Sequence, residues 1–273
     1  MKFLMAPPNL VELEARITDA IGHLDSRESL SLLDRLAGEA PDYYRAHMEM
    51  EHTIPSPSGV MRCLKQQYLK ATGVEEETEI PAAWWKRAAM GTLLEPFWFA
   101  VLRMAGLDLE LWNNSIACGP HMRGYPDAAI GAGGLLELKD KTGFAFKRIL
   151  EAGDLHVGEE RDYYQTQSYL HGTGRDWTLY VASPADPGML QSQLRNYKAY
   201  GPTYELPLVY MEIVYPNEAA IAIVMGRAAT LTGCLERKEV PPCEFAWQSP
   251  LKRDGRKSWP RGYCPFPSYC GGE

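Results

Sequence analysis

Apolar side chains recur at three- and four-residue intervals near the start of the chain and at two-residue intervals in its middle. Leu10, Leu13, Ile17 and Ile21 keep the spacing of one helix face, and so do Leu30, Leu33 and Leu36. Asn9 and Ser26 suit the N-caps of these helices, and Gly38 suits a C-terminal stop. Further helices are predicted over 61–73, 84–105, 144–152, 161–170 and 217–236. The 84–105 segment is apolar around much of its circumference, which predicts burial. Strands are predicted over 107–118, 128–130, 135–139, 177–182 and 206–215. Between these elements, Thr53 to Gly59 reads as a Pro/Ser/Gly linker, and Glu75, Glu76, Glu77 and Glu79 read as a solvated loop that Pro81 ends. From Pro241 onward the pattern is irregular.

The stretch from His121 to Gly143 carries the most chemistry. Asp127 follows a Gly-x-Pro signal and precedes the short apolar run Ala128-Ala129-Ile130. Gly131, Gly133 and Gly134 predict a tight reversal, after which Leu135 to Lys139 resume strand alternation. Two adjacent antiparallel strands would hold Asp127 near Glu137 and Lys139. Residues two apart on a strand leave the same face of the sheet, so Glu137 and Lys139 belong together. Two carboxylates with an ammonium beside them suit Mg²⁺ or Mn²⁺, hard cations that take oxygen ligands, and a water activated for attack. The same residues on an exposed hairpin would be an ordinary charged surface.

Composition narrows the setting. A chain of 273 residues with 45% hydrophobic and 23% charged side chains is ordinary for a globular protein. No apolar run approaches eighteen residues, which predicts no membrane-spanning helix. The opening MKFLMAPPNL is cut by Pro7 and Pro8 and falls short of a secretory signal, so a cytoplasmic location is expected. The net charge of −7 argues against a protein that coats nucleic acid, but residues 1–52 hold ten acids against five basic side chains. The acidity therefore sits at the front, and local basic patches decide whether DNA binds.

The six cysteines are Cys63, Cys118, Cys234, Cys243, Cys264 and Cys270. In a cytosolic chain such a set points to metal or redox chemistry in preference to disulfides. Twenty residues separate Cys243 from Cys264 and include Lys252, Arg253, Arg256, Lys257 and Arg261, with Trp247, Trp259 and Tyr263 interleaved. Basic and aromatic residues on one loop suit phosphate contact and base stacking, or else a solvated charged loop.

Glu95 inside an apolar helix, Gly-x-Pro-Asp127, Glu137-Leu138-Lys139 and Gln165-x-x-x-Tyr169 appear in an order that resembles the PD-(D/E)XK nuclease superfamily in its RecB-like branch. One early cysteine and three late ones further resemble its iron–sulfur members, which include CRISPR-associated RecB-like exonucleases and their phage relatives. The resemblance covers about residues 55–272. It implies an α/β restriction-endonuclease-like core, a mixed sheet flanked by helices, over 53–240, with a helical addition over 1–52 and an iron–sulfur tail over 241–273. By the same resemblance Asp127, Glu137 and Glu95, with the Leu138 carbonyl, would hold Mg²⁺ or Mn²⁺. Lys139 would orient the attacking water. Gln165 and Tyr169 would hold the strand or the metal shell. Cys63, Cys243, Cys264 and Cys270 would ligate a structural [4Fe–4S] cluster, leaving Cys118 and Cys234 as plain buried thiols. Where many relatives have His, this chain has Glu95, and the gap between Cys243 and Cys264 is long, so Zn²⁺ in a Cys₄ site competes with the cluster.

The expected function is metal-dependent hydrolysis of phosphodiester bonds in DNA by an exonuclease, with a homo-oligomer or a recombination partner as possible company. A non-catalytic DNA-binding adaptor of the same fold is the alternative. A zinc deaminase would need His-x-Glu together with Pro-Cys-x-x-Cys, and the chain has no Pro-Cys-x-x-Cys.

Overall fold

A computed structural model describes residues 6–23, 55–77, 82–112, 114–119, 121–185, 207–244, 264–266 and 268–270. The helix predicted around Leu30 to Leu36 and the basic loop at Lys252, Arg253, Arg256 and Lys257 lie outside these residues. The elements are α1 (Leu10–Gly22), α2 (Leu64–Ala71), α3 (Ala82–Met104), β1 (Leu109–Leu111), β2 (Ile116–Gly119), β3 (Met122–Gly124), β4 (Ala128–Ile130) and β5 (Gly134–Lys141). There follow α4 (Gly143–Ala152), α5 (Leu155–Gly158), α6 (Glu160–Thr173), β6 (Trp177–Pro184), β7 (Tyr210–Val214), α7 (Glu218–Arg237) and a 3₁₀ turn at Ser268–Cys270.

Five strands form one sheet in the order β1-β4-β5-β6-β7. Among the described strands of this sheet only the central β5–β6 pair is parallel; β1–β4, β4–β5 and β6–β7 are antiparallel. A parallel pair needs a long crossover, and α4, α5 and α6 supply it. The segment predicted as one strand over 107–118 is instead two strands, β1 and β2, and β2 pairs with β3 in a separate small sheet. The polar residues Asn114 and Ser115 fall between the two strands and interrupt the apolar alternation there.

The sheet has two covered faces. Leu136 and Leu138 of β5 join Phe99, Val101 and Leu102 of α3 and Leu13 and Ile17 of α1 in one core. Leu135 faces the other way, with Phe146 and Ile149 of α4, Tyr164, Tyr169 and Leu170 of α6, and Val224 and Ala228 of α7. Each such buried side chain stabilises by about 1.5–3 kcal/mol. α1, from the segment read as an addition, is thus built into a core of the sheet. A third cluster joins Leu64, Tyr68 and Leu69 of α2 to Leu231 of α7 and to Cys264 and Phe266 of the tail.

Two glycines fix the turn that registers β4 on β5. Gly131 has φ 51°, where a side chain is strained. At Gly134 a Cβ would lie 2.3 Å from the Trp177 ring, so only glycine lets β6 close on β5 here.

α7 reaches the length and composition of a membrane-spanning helix, although no apolar run in the sequence approaches eighteen residues. In the fold its Ala220, Val224, Ala228 and Leu231 lie in the two cores just described, so its apolar stripe has a protein partner.

Candidate active site

The hairpin register pairs Ala128 with Leu136 and Ile130 with Gly134, which brings Asp127, just ahead of β4, beside Glu137. Strand pairing on that side stops there, and Asp127 Oδ2 accepts a hydrogen bond from the Leu138 amide at 2.6 Å. The Asp127 carbonyl accepts from the Trp112 amide at 3.4 Å, so both ends of this residue are held.

Glu137 is fully buried. Its Oε1 receives the Lys139 ammonium and, at 2.8 Å, the Gln165 amide. The same Gln165 Nε2 donates to the Tyr169 hydroxyl at 3.2 Å. Gln165 and Tyr169 come from α6, whose capping by Gly174 at φ 63° ends the helix before β6 begins. Gln165 faces Glu137, whereas Gln167 turns the other way, donating to the Tyr215 carbonyl at 2.9 Å and accepting from the Asn217 amide at 2.8 Å. The structure therefore brings Asp127, Glu137, Lys139, Gln165 and Tyr169 together on one face of the sheet.

Electrostatics at this point are unbalanced. Burial pushes the Glu137 carboxyl up to about 8; Lys139 opposes this, and Asp127 and Asp162 add to it. Burial pulls the Lys139 ammonium down, but Glu137, Asp127 and Asp162 outweigh it and hold the lysine charged well above its ordinary range. Burial, then the charge on Glu137, keeps Tyr169 a neutral phenol. Glu137 Oε2 is buried with no hydrogen-bond partner among the described residues. An orphaned carboxylate oxygen in a dry site is costly unless a cation meets it. An oxygen-preferring divalent ion beside Asp127 and Glu137 would supply that charge, so the donor set fits Mg²⁺ or Mn²⁺.

The closed set of three carboxylates is not assembled. Among the described residues no three His, Cys, Asp or Glu side chains form a group able to hold an ion. Glu95 is half-buried on α3, the helix covering the Leu136–Leu138 face, while Glu137 leaves the opposite face. The Leu138 side chain is buried in that core, and its amide is taken by Asp127.

Sequence reasoning missed a second polar group on the same face. Asp162 Oδ2 accepts from the Tyr180 hydroxyl at 2.6 Å and from Lys141 Nζ at 2.5 Å. The signal was present: Lys141 stands two residues after Lys139 on β5, and Asp162 stands three before Gln165 on α6.

The cysteine positions form another corner. Cys63 immediately precedes α2 and is buried. Burial raises its pKa; the backbone amides of Gln66 and Glu244 oppose this, and the neighbouring Cys243 adds to the rise. Cys264 is buried against Leu64 and Phe266 in the third cluster. The side chain of Cys270 lies outside the described residues. Cys118 is a buried thiol pushed up by burial to about 12, and Cys234 lies in the third cluster.

What brings Cys243 to Cys63 is a salt bridge. Arg227 of α7 grips Glu244 with both arms, Nη1 to Oε1 at 2.7 Å and Nη2 to Oε2 at 2.8 Å. The same guanidinium donates to the Val60 and Arg62 carbonyls, each at 2.8 Å, and Glu244 Oε2 accepts the Leu64 amide at 2.9 Å. Farther along, the Glu77 amide donates to the Pro265 carbonyl at 2.8 Å, and Glu77 takes the Ser268 amide at 3.0 Å.

No protein-family model and no curated protein matches the chain. Among solved structures, it is similar to an alkaline exonuclease (LHK-Exo) from Laribacter hongkongensis, with 18% identity and a TM-score of 0.48 over 67% of this chain and 88% of that one. It is also similar to a phage-related exonuclease from Haemophilus somnus 129PT, with 14% identity and a TM-score of 0.45 over 64% of this chain and 80% of that one. A third likeness is to SSO0001, with 16% identity and a TM-score of 0.42 over 88% of this chain and 96% of that one. At such scores a likeness decides nothing alone, and the chemistry of this chain rests on the side-chain geometry of its polar face.

Proposed function

We propose that this protein is a Mg²⁺- or Mn²⁺-dependent deoxyribonuclease of PD-(D/E)XK type that hydrolyses phosphodiester bonds as an exonuclease. The observation that carries the reading is Glu137: buried, paired with Lys139 through one oxygen, unpartnered on the other among the described residues, and set beside Asp127. A divalent ion held by Asp127 and Glu137, with the Leu138 carbonyl as a further ligand, would lower the pKa of water and offset charge on the phosphate. Lys139 holds a positive charge where the attacking water and the phosphate must meet, and Glu137 keeps that ammonium aimed. Gln165 fixes the Glu137 carboxylate through Oε1, and Tyr169 fixes Gln165 in turn. Lys252, Arg253, Arg256 and Lys257 are proposed to contact the DNA.

Cys63, Cys243, Cys264 and Cys270 are proposed as ligands of a structural [4Fe–4S] cluster that closes the tail on the core. The nearness of Cys243 to Cys63 and the burial of Cys264 in the cluster with α2 support this set, and thiolates equally suit Zn²⁺. The working location is the cytoplasm, with DNA as the partner.

The test is anaerobic purification with iron and zinc counts and a visible spectrum, then incubation with end-labelled DNA and Mn²⁺ or EDTA. Metal-dependent trimming, lost in Asp127→Ala, supports the nuclease. DNA binding without cleavage at any metal concentration overturns it in favour of the adaptor. Broad absorbance near ~400 nm supports iron–sulfur, whereas colourless protein with stoichiometric zinc replaces it by a zinc site.

A further inference from the structure

The polar face of the sheet has two points of attachment to α6, and only one is explained by a catalytic role. At the first, Gln165 meets Glu137. At the second, nearer the start of the helix, Asp162 meets Lys141 on β5 and Tyr180 on β6. β5 and β6 pair in parallel with Glu137 opposite Tyr180, so one carboxylate on α6 is bonded to both central strands. Asp162 and Tyr180 are buried, and Lys141 is nearly so. Lys141 also lies 3.8 Å from Glu159, whose carboxylate takes Arg148 at 2.5 Å.

We propose that Asp162 is a positioning residue for the catalytic centre, acting with Lys141 and Tyr180. α6 runs opposite to β5, so Asp162 meets the far end of the strand while Gln165 meets its middle. One attachment leaves the helix free to slide and turn; two fix both its height and its rotation. With Asp162 in place, the Gln165 amide is delivered to Glu137 and Glu137 Oε2 is left pointing where an ion would sit. Asp162 also occupies Lys141, so that Lys139 is the lysine paired with Glu137. A buried ion pair is weak evidence for stability as such, because desolvation offsets much of the attraction. A pair bonded to two strands and one turn from the site has geometry as its better explanation. The inference rests on the nuclease reading, from which its test separates it.

The variants are Asp162→Asn and Tyr180→Phe, each made alone and together with Gln165→Ala. Asparagine keeps the shape and still accepts from Tyr180, but loses the charge that holds Lys141. Three quantities are measured: Mn²⁺ binding from the electron paramagnetic resonance signal of the free ion, kcat and KM on end-labelled DNA, and Tm. Alone, Asp162→Asn should weaken Mn²⁺ binding and lower kcat, each by about tenfold, the range of residues that orient metal ligands indirectly. KM should stay within about twofold, since no DNA contact is removed. In the Gln165→Ala background the same change should add less than about twofold, because the route through Gln165 is already cut. Equal losses in both backgrounds, or a loss of kcat matched by the loss of folded protein, overturn the proposal. Should Asp162→Asn fail to fold, Tyr180→Phe carries the same comparison, removing one oxygen. Wild-type protein that binds Mn²⁺ with an Asp162→Asn variant indistinguishable from it overturns the positioning role alone. Wild-type protein that binds no Mn²⁺ overturns the nuclease reading as well.

Discussion

The polar face of the sheet and the cysteine corner are both built from charged or ionisable side chains, yet they are assembled in opposite ways. Asp127 and Glu137 are ten residues apart and meet because a tight glycine turn fixes the register of one hairpin. Their surroundings are strands and a crossover helix already required by the core. Cys63 and Cys243 are 180 residues apart and meet because Arg227 and Glu244 clamp the start of the tail to the loop before α2. The first site inherits its geometry from backbone pairing, whereas the second depends on side chains that hold a long loop closed. Hence the two should fail differently.

The largest expected effect lies at the polar face. Glu137→Ala or Lys139→Ala should cut the rate of DNA cleavage by at least about 10²-fold, the scale for removing a charge aimed at the reacting group. The tail should stay docked, which limited proteolysis would report; wild-type cleavage rates would separate this face from the chemistry altogether. Next, Gln165→Ala should cost about 10–100-fold in rate or Mn²⁺ affinity. Gln167→Ala, which faces the start of α7, should lower Tm with kcat retained in the folded fraction, so a reversal of the two glutamines would refute the assignment of faces.

At the other corner the expected effects are on stability. Arg227→Ala should destabilise by about 1–2 kcal/mol, since the pair is partly exposed and several hydrogen bonds go with it. The more specific readout is the rate of diamide-driven Cys63–Cys243 disulfide formation in metal-free protein, which should fall while DNA binding at the polar face persists. The same pair gives a pH signature. Partial burial raises the Glu244 carboxyl, but the Arg227 guanidinium and the Leu64 amide outweigh it and hold it below the ordinary carboxylate range. A depressed carboxylate stabilises the fold above its unfolded pKa of about 4.3 and loses that contribution as pH falls through the folded value. Tail docking should therefore weaken in acid below about pH 4 in wild type and show a shallower acid transition in Glu244→Gln.

The smallest effect concerns Cys118. With burial holding its pKa up to about 12, it stays a thiol through neutral and mildly alkaline pH and should resist iodoacetamide in the native protein. Alkylation as fast as in denaturant would contradict its place in the core.

Legibility followed the range of the interactions. The hairpin, the shared face of Glu137 and Lys139 and the Gln165–Tyr169 stripe were readable because strand and helix periods are local properties. The division of residues 107–118 into two strands of different sheets was not, because alternation says nothing about which partner a strand takes. Asp162 and Lys141 share the strand and helix periods of the site residues, but only the packing of α6 on β5 and β6 buries them against each other.

By itself, then, the sequence determined which side chains share a face, where the glycine turn falls and which residues carry oxygen or thiol chemistry. Only the tertiary structure decided that α1 joins the sheet core, that Glu95 rides on the helix covering the opposite face, and that Arg227 brings Cys243 to Cys63. Periodicity is set by bond geometry along a few residues. Proximity between distant segments is set by the burial and pairing of the whole chain, which no local pattern encodes.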